Sequence, residues 1–332
     1  MLLIASLFSL LGLALATSRT SAPSGALVVS KSATSGEYSS VQAAVDVLST
    51  TSTTAQAIFI NPGTYNEQVY IPARKAALTI YGYTTDTSSY SSNQVTITYG
   101  LSLLSVSTDD LTATVRAWSA NFKMYNINVV NSYGSGSQAL AISASATGQG
   151  YYGCRFLGYQ DTVLSQTGYQ VFAKCLIQGA TDFIFGQHAS TWFDQCDIRV
   201  LTASIGYVTA NGRSSSSDTS YYVINKSTVS AASSNTVTAG AYYLGRPWSE
   251  YARVVFQETS LSAVINSAGW HVWSTSDTRT GDVLFGEYDN TGTGASGTRA
   301  SFATALSSPV AITTILGSSY ASATYVDISY LS

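Results

Sequence analysis

Two aspartates occupy equivalent places in a repeated sequence. Asp161 lies in Cys154-Arg-Phe-Leu-Gly-Tyr-Gln-Asp161-Thr-Val-Leu and Asp182 in Cys175-Leu-Ile-Gln-Gly-Ala-Thr-Asp182-Phe-Ile-Phe, 21 residues later. The register continues into Cys196-Asp-Ile-Arg. Short apolar segments that recur at this spacing mark successive coils of a solenoid. Equivalent positions then lie on adjacent parallel strands roughly 4.7–4.9 Å apart. Two carboxylates so close resist ionising together, which predicts one charged nucleophile and one protonated acid.

The surroundings of the pair fit acyl chemistry. Gln160 precedes Asp161, on the opposite side of the backbone by strand alternation unless a bend intervenes. Gln138 lies one coil earlier, in Ser-Gln-Ala-Leu-Ala-Ile. Neutral amide donors there suit an oxyanion forming on a carbonyl; the alternative for each is a surface side chain or an amide ladder between coils. In Leu244-Gly-Arg-Pro-Trp248, Arg246 has the fork to hold one aspartate ionised, and Trp248 offers a flat face for a sugar ring. The bland alternative is a turn with a packed tryptophan.

Other chemical signatures are weak. Gly148-Gln-Gly-Tyr-Tyr-Gly153 and Gly292-Thr-Gly-Ala-Ser-Gly297 match a dinucleotide-binding string, but neither opens a helix inside a βαβ unit. There is no G-x-S-x-G elbow, and a Ser-His-Asp triad has no support from His188 and His271. With no Cys-x-x-Cys pair, no metal is expected, and nothing calls for a cofactor.

The elements that must position these residues are mostly short strands. Ile58-Phe-Ile, Gln68-Val-Tyr-Ile, Leu78-Thr-Ile-Tyr, Val95-Thr-Ile-Thr and Thr112-Ala-Thr-Val follow one another between Gly, Asn and Ser turns. One column runs through Ile127, Cys154, Cys175, Cys196, Ser227 and Thr259, and a second, two residues on, through Val129, Phe156, Ile177, Ile198, Val229 and Leu261. Antiparallel sandwiches need tight hairpins and give no reason for such equal offsets. The expected fold is therefore all-β, a single-domain right-handed parallel β-helix over residues 26–332. Ser39-Ser40 before Val41, Ala44, Val45 and Leu48 predicts an N-capped helix, the single convincing one, covering the open end of the solenoid. From about Ser274 the repeat is lost, and the tail is expected to be irregular and to wrap along the side.

Composition narrows the function classes. Of 332 residues 45% are hydrophobic and only 10% charged, with a net charge of −3 and no Lys/Arg run. Nucleic acid and anionic membrane surfaces are thereby disfavoured as partners, and a weakly charged polymer is favoured. Residues 1–16 read as a secretory signal peptide ending in Ala14-Leu15-Ala16, although its start lacks a positive charge; the stretch is short for a membrane span. Thr17 to Gly25 reads as a flexible leader. The odd count of three cysteines leaves at least one free thiol, and a buried thiol column is the favoured reading. Asn225-Lys-Ser227 is an N-glycosylation sequon expected on an exposed coil.

Taken together the chain resembles the pectin methylesterase family. The resemblance rests on Gly63-Thr-Tyr-Asn-Glu67, Gln138-Ala-Leu-Ala, Gly158-Tyr-Gln-Asp-Thr162, Asp182-Phe-Ile-Phe-Gly186 and Leu244-Gly-Arg-Pro-Trp248, supported by Val208-Thr-Ala-Asn-Gly-Arg213 and Ala268-Gly-Trp270. It implies a right-handed parallel β-helix that hydrolyses the C6 methyl esters of homogalacturonan to methanol and de-esterified pectin. It implies Asp182 as nucleophile, Asp161 as general acid and then base, and Gln138 and Gln160 as oxyanion donors. Arg246 would pair with Asp182, and Trp248, Phe185 and Trp273 would line the sugar site. Methyl-esterified pectin is the implied partner and a proteinaceous inhibitor a further candidate, with the enzyme working as a monomer. Glu67 is read as structural. Val163-Leu164 replaces a Leu-Tyr pair common in relatives, so one aromatic wall is expected to be missing. The absence of a long pro-region is more like the secreted fungal members. The rivals are a backbone-cutting pectin hydrolase or lyase, and a catalytically silent polysaccharide-binding scaffold.

Overall fold

Phe156, Ile177, Ile198 and Val229 meet as direct partners on neighbouring parallel strands, and the column extends to Val129 and Leu261. Side chains at every second residue point inward from such strands, and all six of these are buried. The computed structural model describes residues 17–332; the expected signal peptide at 1–16 lies outside the described residues.

Strands of 11, eight and seven members form three sheets. Every ladder joining the strands around the aspartate repeat is parallel. The coils around the aspartate repeat each give one strand to each sheet in turn. Gln149–Tyr152, Arg155–Leu157 and Val163–Ser165 make one coil. Thr167–Ala173, Leu176–Gly179 and Ile184–Gly186 make the next. The architecture is a parallel β-helix with its core enclosed by the three sheets. Tyr151, Phe172 and Phe193 stack inside at centroid spacings of 4.5 and 5.0 Å.

The corner that precedes the cysteine column is made by backbone in the left-handed region. Asn126, Gly153, Lys174, Gln195, Lys226 and Glu258 all have φ between 45° and 57°. A side chain there costs roughly 1–2 kcal/mol, which the sharp turn between sheets imposes at each of these corners except that of Gly153. Cys154, Cys175 and Cys196 follow this corner as buried free thiols.

The predicted helix forms as α1, Val41–Asp46, with the Ser40 hydroxyl accepting from the Ala43 N–H. Glu67 completes its start: its two carboxylate oxygens accept from the Val41 and Gln42 N–H groups at 2.8 and 2.9 Å. Two further short helices form, α2 at Asp109–Thr112 and α3 at Ile312–Leu316. Neither has the length or periodicity that sequence reading detects.

Both termini depart from expectation. The leader read as flexible is docked: Arg19 exchanges backbone hydrogen bonds with Thr84 at 2.9 and 3.1 Å, and its guanidinium lies over Tyr81 and Tyr125. The tail read as irregular from Ser274 first adds two more strands, Leu284–Tyr288 and Ala303–Ala305, to the largest sheet. Long loops of unequal length hid that register. Only afterwards does it wrap along the side, where Tyr325, Tyr330, Ile315 and Leu316 pack on an outer patch with Tyr125 and Tyr152.

Candidate active site

The turn after the second strand of each coil carries the aspartates. Gln160 and Thr181 pair across the turn, and the Asp161 N–H donates to the Thr181 carbonyl at 3.0 Å, so Asp161 and Asp182 sit in the same register on successive coils. Gly158 and Gly179 stand three residues before them because the turn doubles back tightly. A Cβ at either would strike Thr162 or Phe183.

Asp161 and Asp182 themselves adopt φ of 63° and 49°. This bend overrides strand alternation and brings Gln160 to the same cleft as Asp161. Gln138 joins from the preceding coil, whose Ala139 N–H donates to the Gln160 carbonyl at 3.2 Å. Strained backbone of this kind persists where surrounding structure holds it, commonly at active sites.

A cleft of about 300 Å³ collects Gln138, Gln160, Asp161, Asp182, Phe185, Arg246, Trp248 and Trp273. All eight residues expected of the reaction and sugar site thus meet in one place. Arg246 donates from Nε to Asp182 Oδ1 at 2.9 Å and from Nη2 to Asp182 Oδ2 at 2.6 Å, a bidentate pair. Its guanidinium is sandwiched over Tyr207 and Trp273 at 4.1 and 4.4 Å. Phe185 and Trp248 lie at a tilted 6.0 Å centroid distance. Leu164 packs with them in one apolar cluster and is buried.

Both carboxylates are only 7% exposed, and burial drives both upward from the ordinary carboxylate value. They then diverge. Asp182 is pulled back by the hydrogen bonds and charge of Arg246. Asp161 is pushed further, well above the usual range, by the charges of Asp182 and Asp109, with only a weaker counter-pull from Arg246. A single proton shared by the pair therefore belongs on Asp161.

Sequence reading missed Asp109, Tyr207 and Ala210 at the cleft. Asp109 enters from α2, outside the coil repeat, and its one signal was an Asp-Asp pair before an apolar strand. The glycosylation expectation at Asn225 is corrected. Its side chain is 4% exposed; its amide donates to Asp194 Oδ1 at 2.6 Å and its oxygen accepts from Gln257 at 2.8 Å. The sequon falls on an inter-coil amide ladder, not on an exposed loop. Among the described residues no group of three or more His, Cys, Asp or Glu has the geometry to hold a metal ion.

The family model described as Pectinesterase matches residues 26–313. A pectinesterase of Aspergillus niger is 57% identical over 320 residues, covering 96% of each chain. The chain belongs to the pectinesterase family. It is accordingly a carboxylic ester hydrolase. Among solved structures, a pectin methylesterase from Aspergillus niger superposes with a TM-score of 0.87 at 43% identity, covering 94% of this chain and all of that one. The carrot pectin methylesterase gives 0.82 at 31% identity, covering 92% and 98%. These pectinesterases share the parallel β-helix, so fold and family rest on independent comparisons.

Proposed function

We propose that this pectinesterase hydrolyses the C6 methyl esters of homogalacturonan through an aspartyl acyl-enzyme. The observation that carries the reading is the asymmetry of the pair, since Asp182 alone has a bidentate cation while its neighbour Asp161 favours the proton. An Asp182 oxygen attacks the ester carbonyl carbon. The resulting oxyanion is stabilised by the amide N–H groups of Gln138 and Gln160. Collapse breaks the bond to the methoxy oxygen, which takes the Asp161 proton and leaves as methanol. Asp161, now a carboxylate, removes a proton from water as that water attacks the anhydride carbonyl. Asp182 departs as carboxylate, the sugar keeps a free acid, and Asp161 holds its proton again.

Arg246 keeps Asp182 charged and oriented between turnovers, and Trp248, Phe185 and Trp273 give the sugar flat apolar contacts. Neither a metal nor a cofactor has a step in this scheme. The same reading makes the protein a secreted monomer working on an extracellular polymer. Support for secretion comes from the solved Aspergillus niger pectin methylesterase at 43% identity, whose crystal structure is of a deglycosylated form. A proteinaceous inhibitor would act by blocking the cleft.

The deciding experiment measures methanol from highly methylated pectin, with reducing-end and unsaturated-product assays on the same sample. Methanol without chain cleavage is expected. New chain ends without methanol would move the function to a depolymerase.

A further inference from the structure

Past Phe185 and Trp248 the reaction cleft adjoins a second, larger one of about 670 Å³, and Asp109 stands on the wall common to both. A uronate polymer lying in the reaction cleft would extend its next unit into this space. What the second cleft accepts therefore bears on which ester is removed.

One cation lines it, and that cation is committed. Arg116 donates from Nε and Nη2 to Asp110 Oδ2 at 2.9 and 2.6 Å. The other Asp110 oxygen accepts from Trp118 Nε1 at 2.9 Å and from Ser143 Oγ at 2.6 Å, which locks the pair in place. Arg246, the cation of the reaction cleft, is held on both oxygens of Asp182. Among the described residues that line the two clefts, no cation is left for a free carboxylate. Asp109 is the opposite case, since its Oδ1 is buried and has no hydrogen-bond partner. Trp118 adds an exposed ring (42%), and Gln166 and Gln187 add neutral amides, which suit an uncharged sugar.

We infer that Asp109 makes the second cleft select a methyl-esterified galacturonate, and reject a free one, as the unit next to the reacting ester. The inference rests on the esterase reading above. A methyl ester brings no charge against Asp109, whereas a free acid brings a like charge into a cleft with no free counter-ion. Burial raises the Asp109 carboxyl from its ordinary value, so the contrast grows as pH rises toward neutral. Each ester removed then makes a neighbouring ester a poorer substrate, so attack disperses along the polymer.

The test compares methanol release per ester at pH 7 from two oligogalacturonides, one fully methylated and one with esters and free acids alternating. The natural enzyme is expected to prefer the first by roughly tenfold in kcat/KM, the scale of one screened like-charge contact. Asp109→Asn should bring that ratio close to one. Asp109→Lys, which supplies the missing cation, should reverse it and serves as a second readout if the Asn variant folds poorly. Equal rates for the natural enzyme, or an unchanged ratio in the variants, would overturn the inference while leaving the esterase intact. No methanol from either substrate would overturn the esterase reading and this inference with it.

Discussion

Asp161 and Asp182 share a backbone bend, a register and a degree of burial, and they differ in their charged neighbours. Arg246 grips both oxygens of Asp182, while Asp161 faces Asp182 and Asp109. In the proposed reaction this separates nucleophile from acid. Asp182→Asn preserves shape but removes the attacking charge and strands Arg246. Methanol release should fall on the order of 10³-fold or more with the circular dichroism spectrum unchanged, and Asp161→Asn should be similarly severe. Near-normal turnover in either variant would refute the assigned roles. The pH profile offers a subtler check. The Asp109 charge helps hold Asp161 protonated, so Asp109→Asn lets Asp161 lose its proton more easily. Because the working form needs that proton, the alkaline limb of kcat/KM should move to lower pH. The acid limb, which reports Asp182, should move less, because burial and Arg246 set that group.

At the scale of elements, the site depends on turns and caps that leave uneven traces in sequence. The turn glycines Gly158 and Gly179 do leave a trace, since each stands three residues before an aspartate in the sequence repeat. The left-handed corners were not, since Asn, Gly, Lys, Gln, Lys and Glu occupy one backbone conformation in turn. Corner geometry there is imposed by sheet pairing on either side and not by residue preference. The start of α1 is a local device completed from afar, as the carboxylate of Glu67 reaches two N–H groups across 25 or 26 residues. Glu67→Ala should lower stability by about 0.5–2 kcal/mol, the range for losing a helix N-terminal cap, read as a shifted urea midpoint. Activity per folded molecule should stay the same, and a loss of kcat instead would mean that Glu67 does more than cap.

Over the whole molecule, the coil repeat buries three thiols in one column and leaves an outer patch of tyrosines that the two termini cover. Tyr152 ties this covering down: its hydroxyl donates to the Tyr325 carbonyl at 2.7 Å and accepts from the Asp327 N–H at 2.8 Å. A thiol reagent should therefore find no reactive cysteine in the native protein and three after denaturation; native labelling would show that the coils open. The sequence by itself determined the coil, the inward columns and the stacking of Asp161 on Asp182, because equal covalent spacing forces equal positions on neighbouring parallel strands. It also placed Asn225 on a coil, but only packing against Asp194 and Gln257 decided that the amide is buried. The family resemblance implied that Arg246 pairs with Asp182, but residue types by themselves left open which aspartate it holds, and across 64 residues the tertiary structure set that choice. It alone brought Asp109 to the cleft from outside the repeat. Loops of unequal length erase spacing as a guide, and across them only the folded sheet sets which charges meet.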